Sequence, residues 1–320
     1  MKKIGVLTSG GDSPGMNAAI RAVTRTGIHH GLEVIGIKYG YRGLLDQSFL
    51  NLHIPDVGGI MQHGGTLLMT SRCETFKKET GIAKAGQILR SAGIEGLIVI
   101  GGDGSLKGAL ALFQQEKIPV MGIPATIDND LFGTDMSIGV DTALNTVISA
   151  IDRIKDTASS HRRAFIIEVM GRNSGYLALM SGIAGGAETV IVPEFPANLE
   201  EVSHQLKQGY QRGKSHCIVL VAEGAGSVYE MGKFMEDRIG FQMRITVLGY
   251  LQRGGSPSAF DRILASRLGA ASVEEMLSGQ TCHMVGLAGS QVNAIHLSQV
   301  LAKRKMLRKT MYELASVLSR

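Results

Sequence analysis

Short apolar runs recur along this chain. Each ends in a turn-forming stretch and leads into a longer segment with one apolar face. Ile4 to Leu7 is the first, and Glu33 to Ile37, Gly96 to Ile100 and Ile118 to Ile123 repeat it. Apolar runs of this length, bounded by turn residues, predict buried strands. The segments between them predict helices over about 16–30, 80–92 and 106–115, while a Gly- and Tyr-rich stretch after Ile37 reads as a loop. A helix over about 141–157 opens a second series, with strands predicted at Ala164 to Val169, Thr189 to Val192, His216 to Val221 and Arg244 to Leu248. Asn198-Leu199-Glu200-Glu201 reads as a capping box for a helix ending near Gly213. The alternation predicts an α/β protein: two doubly wound, mainly parallel-sheet domains with an active-site cleft between them.

Composition narrows this picture. A chain of 320 residues exceeds the usual size of one core, so two domains are expected. Glycine is abundant, 42 residues without any collagen period, which points to tight loops where backbone approaches a ligand. Tryptophan is absent and aromatics are few, which disfavours a single-strand base-stacking platform. The net charge of +5 suits nucleic acid, an anionic membrane or small anionic substrates, but the basic residues are mostly dispersed, which disfavours the first two. The one dense run, Lys303 to Lys309, is expected to lie on a C-terminal helix with a solvated basic face, together with Met311, Tyr312, Leu314 and Leu318. Cys73, Cys217 and Cys282 have no zinc spacing and fit reduced thiols. No stretch approaches the ~20 apolar residues of a membrane span. A cytoplasmic protein is expected.

The chemistry gathers at the turns. Thr8-Ser9-Gly10-Gly11-Asp12-Ser13-Pro14-Gly15 lies between a strand and a helix, an arrangement that presents free N–H groups to an anion. It is neither a Walker A loop nor a dinucleotide fingerprint, because the Lys-Ser/Thr ending and the glycine spacing are missing. Gly101-Gly102-Asp103-Gly104-Ser105 is a second such turn, and Pro124 to Asp130 brings Thr126, Asp128 and Asp130 to a third strand end. In open α/β sheets ligands bind at the carboxyl ends of strands. Any one of these loops alone is more often a turn and a helix cap. Together they could hold a polyphosphate, Mg²⁺ and a base. Arg72, Arg163, Arg172, Arg244 and Arg253 could bind phosphate in bidentate fashion. Phosphoryl transfer needs this combination. The nine histidines sit singly, and no Ser-His-Asp or Cys-His arrangement is evident.

Those turns, with Met16-Asn17-Ala18, Asp156 to His161, Met170-Gly171-Arg172, Ala222-Glu223-Gly224 and Gln252-Arg253-Gly254-Gly255, closely resemble the bacterial ATP-dependent 6-phosphofructokinases of glycolysis, essentially end to end. The resemblance implies phosphorylation of fructose 6-phosphate at its 1-hydroxyl. It implies an ATP-binding domain of 1–138 plus about 252–305, and a fructose 6-phosphate-binding domain of 139–251 plus about 306–320. Gly11, Arg72, Cys73, Lys77, Gly102, Gly104 and Ser105 would line the ATP site, with Asp103 holding Mg²⁺ beside the nucleotide. Thr126, Asp128, Asp130, Met170, Gly171, Arg172, Glu223 and Arg253 would surround the sugar, with Asp128 the base and Arg172 and Arg72 neutralising the transferring group. Thr126 and Gly11 complete the catalytic set. Arg163 and Arg244 would reach the sugar phosphate of a neighbouring subunit, which implies a homotetramer.

The chain departs from the family pattern at a few places. Tyr250 stands where histidine is usual and is taken as a sugar-phosphate contact; Ala125 replaces glycine and Leu106 a common tyrosine. At the implied effector site for ADP and phosphoenolpyruvate, Arg21, Arg25, Glu188, Arg212 and Lys214 match, whereas Gly59 replaces aspartate and Lys155 replaces arginine. A weak allosteric response is expected. The alternative is a pyrophosphate-dependent relative, which carries Asp at 104 and Lys at 125; Gly104 and Ala125 fit ATP better. A lipid- or NAD-kinase-like enzyme shares only the Gly-Gly-Asp-Gly turn, and a non-catalytic sugar-phosphate sensor would be expected to lack Asp128.

Overall fold

A computed structural model describes residues 1–161, 164–214 and 216–319. The chain divides into two units. The first is Met1–Ile127, Leu131–Thr142 and Arg253–Lys305; the second is Asp128–Asp130, Ala143–Gln252 and Met306–Arg320, whose last residue is not described.

In the first unit the strands are β1 (Lys3–Ser9), β2 (Glu33–Ile37), β3 (Phe49–Asn51), β4 (Gly96–Gly101), β5 (Val120–Pro124), β10 (Cys282–Ala288) and β11 (Gln291–His296). They form one sheet in the order β11-β10-β5-β4-β1-β2-β3. The five inner strands are parallel, and β3 and β11 pair antiparallel at the two edges. The helices are α1 (Met16–His29), α2 (Gly40–Leu45), α3 (Glu79–Ser91), α4 (Asp103–Glu116), α9 (Ala259–Leu277) and α10 (Leu297–Ala302). Both faces of the sheet are covered, so the inner strands are apolar throughout rather than alternating. Ile4, Val6, Ile98 and Ile100 pack against Ile20, Val23, Leu264 and Leu268 of α1 and α9. Leu7, Leu97 and Val99 face the other way, with Ile88, Leu89 and Leu112 of α3 and α4. Leu106 is fully buried in that second layer.

The second unit has a smaller parallel sheet, β7-β8-β6-β9, from β6 (Ala164–Val169), β7 (Thr189–Ile191), β8 (Cys217–Ala222) and β9 (Met243–Val247). Its helices are α5 (Val140–His161, whose first turn belongs to the first unit), α6 (Tyr176–Gly185), α7 (Leu199–Gln211), α8 (Val228–Ile239) and α11 (Lys309–Leu318). Ile166, Val219 and Val221 pack with Val202 and Leu206 of α7 and Met235 and Ile239 of α8. Asn198 caps α7 by accepting from the Glu200 N–H at 3.1 Å, while its amide donates to the Glu201 carboxylate at 3.0 Å.

One segment differs from expectation. The basic run Lys303 to Arg308 is not helical; α11 starts only at Lys309. Arg304 forms an antiparallel bridge with Leu131, and Lys305 donates to the Asp135 carbonyl at 2.6 Å. Backbone held extended by these partners cannot also close helical turns.

Candidate active site

In each sheet, two neighbouring parallel strands send their following helices in opposite directions. In the first sheet these are β1 and β4: α1 leads to β2 on one side, α4 to β5 on the other. In the second sheet they are β6 and β8: α6 leads past β8 to β7, and α8 leads past β6 to β9. A crevice opens beyond the carboxyl ends of such a pair. Gly11 and Gly102 to Ser105 follow the first pair, and Met170 to Arg172 and Glu223 follow the second.

In the first unit, β1 ends at Ser9 and the glycine turn runs into α1 at Met16. Beside it, β4 ends at Gly101, and α4 begins at Asp103 rather than near Leu106. Gly102, Asp103, Gly104 and Ser105 therefore form the first turn of a helix, where unsatisfied N–H groups and the helix dipole favour an anion. Ser105 is buried. A side chain at Gly104 would meet nothing within 4 Å, so the space over this turn is open. Asp103 is half exposed and pairs with Lys107 at 2.7 Å. Among the described residues no three His, Cys, Asp or Glu side chains cluster to hold a metal by themselves. A single accessible carboxylate next to an anion cradle fits Mg²⁺ that arrives with a polyphosphate, since Mg²⁺ is commonly held by one or two carboxylates plus substrate oxygens.

Gly11 faces Arg253. A Cβ at position 11 would lie 2.5 Å from the Arg253 Nη1, so the guanidinium occupies the space that glycine leaves. Arg72 is exposed, Cys73 half-buried, and Lys77 exposed and paired with Glu74 at 2.9 Å. Thr126 is half-buried and lies over Gly102: a Cβ there would be 3.4 Å from the Thr126 Cβ. The structure thus brings together Gly11, Arg253, Gly102 to Ser105 and Thr126, with Arg72 and Cys73 on an adjoining loop.

In the second unit, Asp128 is 6% exposed, with its Oδ2 3.7 Å from the Arg172 Nε. Asn129 holds φ 48° between Asp128 and Asp130, a left-handed conformation that asparagine tolerates. Arg172 also has a positive φ, 51°. Glu223, following β8, accepts the Arg172 N–H at 2.5 Å and so fixes this rarely populated backbone. Burial, and then the nearby Glu223 carboxylate, push the Glu168 carboxyl above its ordinary range. Met170 and Gly171 form the turn, and Gln252, part of the Gln-Arg-Gly-Gly segment but given no site role from sequence, holds it. Gln252 is fully buried, accepts the Met170 N–H at 3.1 Å and donates to the Gly249 carbonyl at 3.1 Å. Its sequence signal is its place in that segment, between a strand end and a glycine pair.

The remaining residues are more dispersed. Arg244 is exposed on the edge strand β9, and Tyr250 is 79% exposed in the turn that follows. Arg163 lies outside the described residues. Glu188, Arg212 and Lys214 line a cavity of about 580 Å³, closed on one side by Tyr312 and Ser316 of α11. Lys155 does not line it; its ammonium donates to the Gly185 and Gly186 carbonyls at 2.5 and 3.0 Å, at the end of α6. Arg21 and Arg25 lie on α1 in the first unit, and Gly59 is exposed with φ 66°.

A family model described as phosphofructokinase matches residues 3–276. The chain is 54% identical over 319 residues to the ATP-dependent 6-phosphofructokinase of Thermotoga petrophila and 55% identical to that of Thermotoga neapolitana, each time covering 100% of both chains. Among solved structures, it matches phosphofructokinase from Saccharomyces cerevisiae with a TM-score of 0.90 and 35% identity, over 99% of this chain and 47% of the yeast chain. It therefore spans about half the length of that yeast relative. It also matches a pyrophosphate-dependent phosphofructokinase from Marinobacter aquaeolei with a TM-score of 0.87 and 25% identity, over 97% of this chain and 86% of that one.

Proposed function

This chain belongs to the phosphofructokinase family, and we propose that it phosphorylates fructose 6-phosphate at the 1-hydroxyl with ATP, giving fructose 1,6-bisphosphate and ADP in glycolysis. The observation that carries this reading is the end-to-end likeness to enzymes named for that reaction, 54–55% over 319 residues. The open space over Gly104 supports a nucleotide as donor, because an acidic side chain there would repel and obstruct an α-phosphate.

The first unit holds the donor. Gly11 and the turn from Gly102 to Ser105 line the phosphates, the N–H groups of Gly11 and of Gly102 to Gly104 being offered to them while the Ser105 N–H closes the turn onto the Gly102 carbonyl, with Arg72, Cys73 and Lys77 beside them. Mg²⁺ bound with the nucleotide would be held by Asp103 and would offset charge between the phosphates. The second unit holds the acceptor. Asp128 takes the proton of the sugar 1-hydroxyl as that oxygen bonds to the γ-phosphorus; the bond from phosphorus to the β-phosphate oxygen breaks, and ADP leaves with that electron pair. Arg172, 3.7 Å from Asp128, offsets negative charge on the carboxylate and on the transferring group. The Glu223 contact to the Arg172 backbone pre-sets that side chain, which lowers the reorganisation needed in the transition state. Thr126, Asp130, Met170, Gly171, Glu223 and Arg253 complete the sugar's surroundings, and Tyr250 contributes at most one neutral hydroxyl.

On the same reading the enzyme works in the cytoplasm as a homotetramer, with Arg163 and Arg244 offered to a neighbour's sugar phosphate. No helix among the described residues is long and apolar enough to cross a membrane. The effector response to ADP and phosphoenolpyruvate is weak, because Gly59 lacks a carboxylate and the Lys155 ammonium is engaged by two carbonyls. A coupled assay with fructose 6-phosphate, comparing ATP with pyrophosphate, tests the reaction. Turnover with ATP and none with pyrophosphate is expected; the reverse preference overturns the reading.

A further inference from the structure

Between the short β3 and α3, residues 63–70 cross the carboxyl end of β1 as a strap without regular secondary structure. Irregular backbone needs partners for its polar groups. Here one side chain supplies three. Asn17, 4% exposed in the first turn of α1, accepts the Leu67 N–H at 2.7 Å. Its amide donates to the His63 carbonyl at 3.0 Å and reaches that of Gly64 at 3.4 Å. Both ends of the amide are spent on the strap, so neither hydrophobic nor acidic replacements reproduce it.

Further along, Thr8 donates to the Met69 carbonyl at 2.8 Å and meets the Thr66 hydroxyl at 2.9 Å. Leu68 is fully buried, and its carbonyl accepts the Tyr39 N–H at 2.8 Å. Thr70 donates to the Gly10 carbonyl at 2.5 Å, which ties the strap to the glycine turn. At its other end, Gly64 sits so close to the turn after Arg253 that a Cβ would lie 2.4 Å from the Gly255 carbonyl oxygen. The strap therefore touches the glycine turn, adjoins Arg72 two residues on, and abuts the turn that carries Arg253.

We propose that Asn17 is a positioning residue for phosphoryl transfer: by locking the strap it sets where Arg72 and Arg253 stand against Gly10-Gly11. This rests on the kinase reading above. Asn17 itself touches no substrate. It acts through the arginines, and its loss leaves the chemistry intact but misaligned. A misplacement on the order of 1 Å costs about 10²-fold in a positioned reaction.

The test is a double-mutant cycle with the full-length enzyme and ATP. Asn17→Leu should lower kcat about 10- to 100-fold, with exchange of the Leu67 amide accelerated and the KM for fructose 6-phosphate changed far less. In an Arg72→Gln background the same change should lower kcat by a clearly smaller factor, because one of the two arginines it positions is gone. Thr66→Val, a milder cut in the same strap, should lower kcat severalfold and serves if Asn17→Leu does not fold. Unchanged kcat in Asn17→Leu or in Thr66→Val overturns the inference, as does an equal loss with and without Arg72. A wild-type enzyme inactive with ATP overturns the kinase reading itself and the inference with it.

Discussion

Asp261 is fully buried near the start of α9, and its carboxylate caps a helix more than a hundred residues away in sequence. The Gly139 N–H donates to Oδ1 at 2.9 Å; the Thr142 N–H and hydroxyl donate to Oδ2 at 2.8 and 2.5 Å. Gly139 and Thr142 supply N–H groups at the start of α5 that have no partner within the helix. The Thr142 hydroxyl also accepts the Ser258 N–H at 3.0 Å, which fixes it as the donor to Asp261. Asp261→Ala would strand three donors in the interior. At about 1–3 kcal/mol each the loss is roughly 3–9 kcal/mol. Two effects reduce it. Water enters the cavity left by the side chain, and the desolvated carboxylate is itself costly, since burial outweighs its hydrogen bonds and raises its pKa. A net loss of about 3–4 kcal/mol is expected, on the order of 5–10 °C in Tm. The sign of the pH dependence follows from the raised pKa. The folded protein binds the Asp261 proton more tightly than the unfolded chain, so the contribution of Asp261 is greatest at low pH. It declines as pH rises from the ordinary aspartate range through its raised value. Urea unfolding of wild type and Asp261→Ala across that window measures both. A loss below 1 kcal/mol at neutral pH, or a gap that widens as pH rises, would refute the argument.

Asp128→Asn should lower kcat on the order of 10²–10⁴-fold with a modest change in the KM for fructose 6-phosphate, because shape is kept and the base removed; steady-state kinetics that leave most of kcat intact sink the assignment. Saturation curves for fructose 6-phosphate should shift less than about threefold with millimolar phosphoenolpyruvate, since an effector without differential affinity shifts nothing; a large rise in half-saturation that ADP reverses speaks against this. The His283 pKa is lowered by burial, then by His296, with Glu275 acting the other way. Its stabilising contribution should be present above the ordinary histidine range and be lost as pH falls through its lowered value, so His283→Gln should flatten the acid limb of the unfolding midpoint; an unchanged limb excludes it.

The strand–turn–helix repeat is legible in sequence because both faces of each inner strand are covered, which leaves uninterrupted apolar runs such as Leu97 to Ile100. The start of α4 is misplaced for a local reason: Gly101-Gly102-Asp103-Gly104 has the composition of a turn, yet three of those residues form a helix cap and first turn. α2 is hidden in the Gly- and Tyr-rich stretch; burial of Tyr41 and Leu44, not helix propensity, holds it. The histidines read as isolated because spacing along the chain does not reveal register. The antiparallel pairing of β10 with β11 sets His283 opposite His296, ring centroids 5.2 Å apart. Thr126, Asp128 and Arg172 stand out by residue type at strand ends. Asn17 and Gln252 do not, since their partners are backbone groups distant in sequence.

The first unit is assembled from three stretches of chain, the last running from Arg253 to Lys305. That stretch includes α9, which covers the Ile4–Ile98 face, and β10, which pairs with β5. During synthesis the ribosome therefore emits β1 to β5 long before the α9 part of their cover exists, while the second unit's four strands are complete by Val247. Domains usually mature in the order in which they are made. Here part of that order is reversed: the larger sheet waits half-clad, with Ile4, Val6, Ile98 and Ile100 shielded on that face by α1 but not yet by α9, until about residue 277 has emerged. A stalled nascent chain with residue 250 already clear of the ribosome should thus display the second unit's four-stranded sheet, still without α11, attached to a sticky, chaperone-bound amino-terminal half.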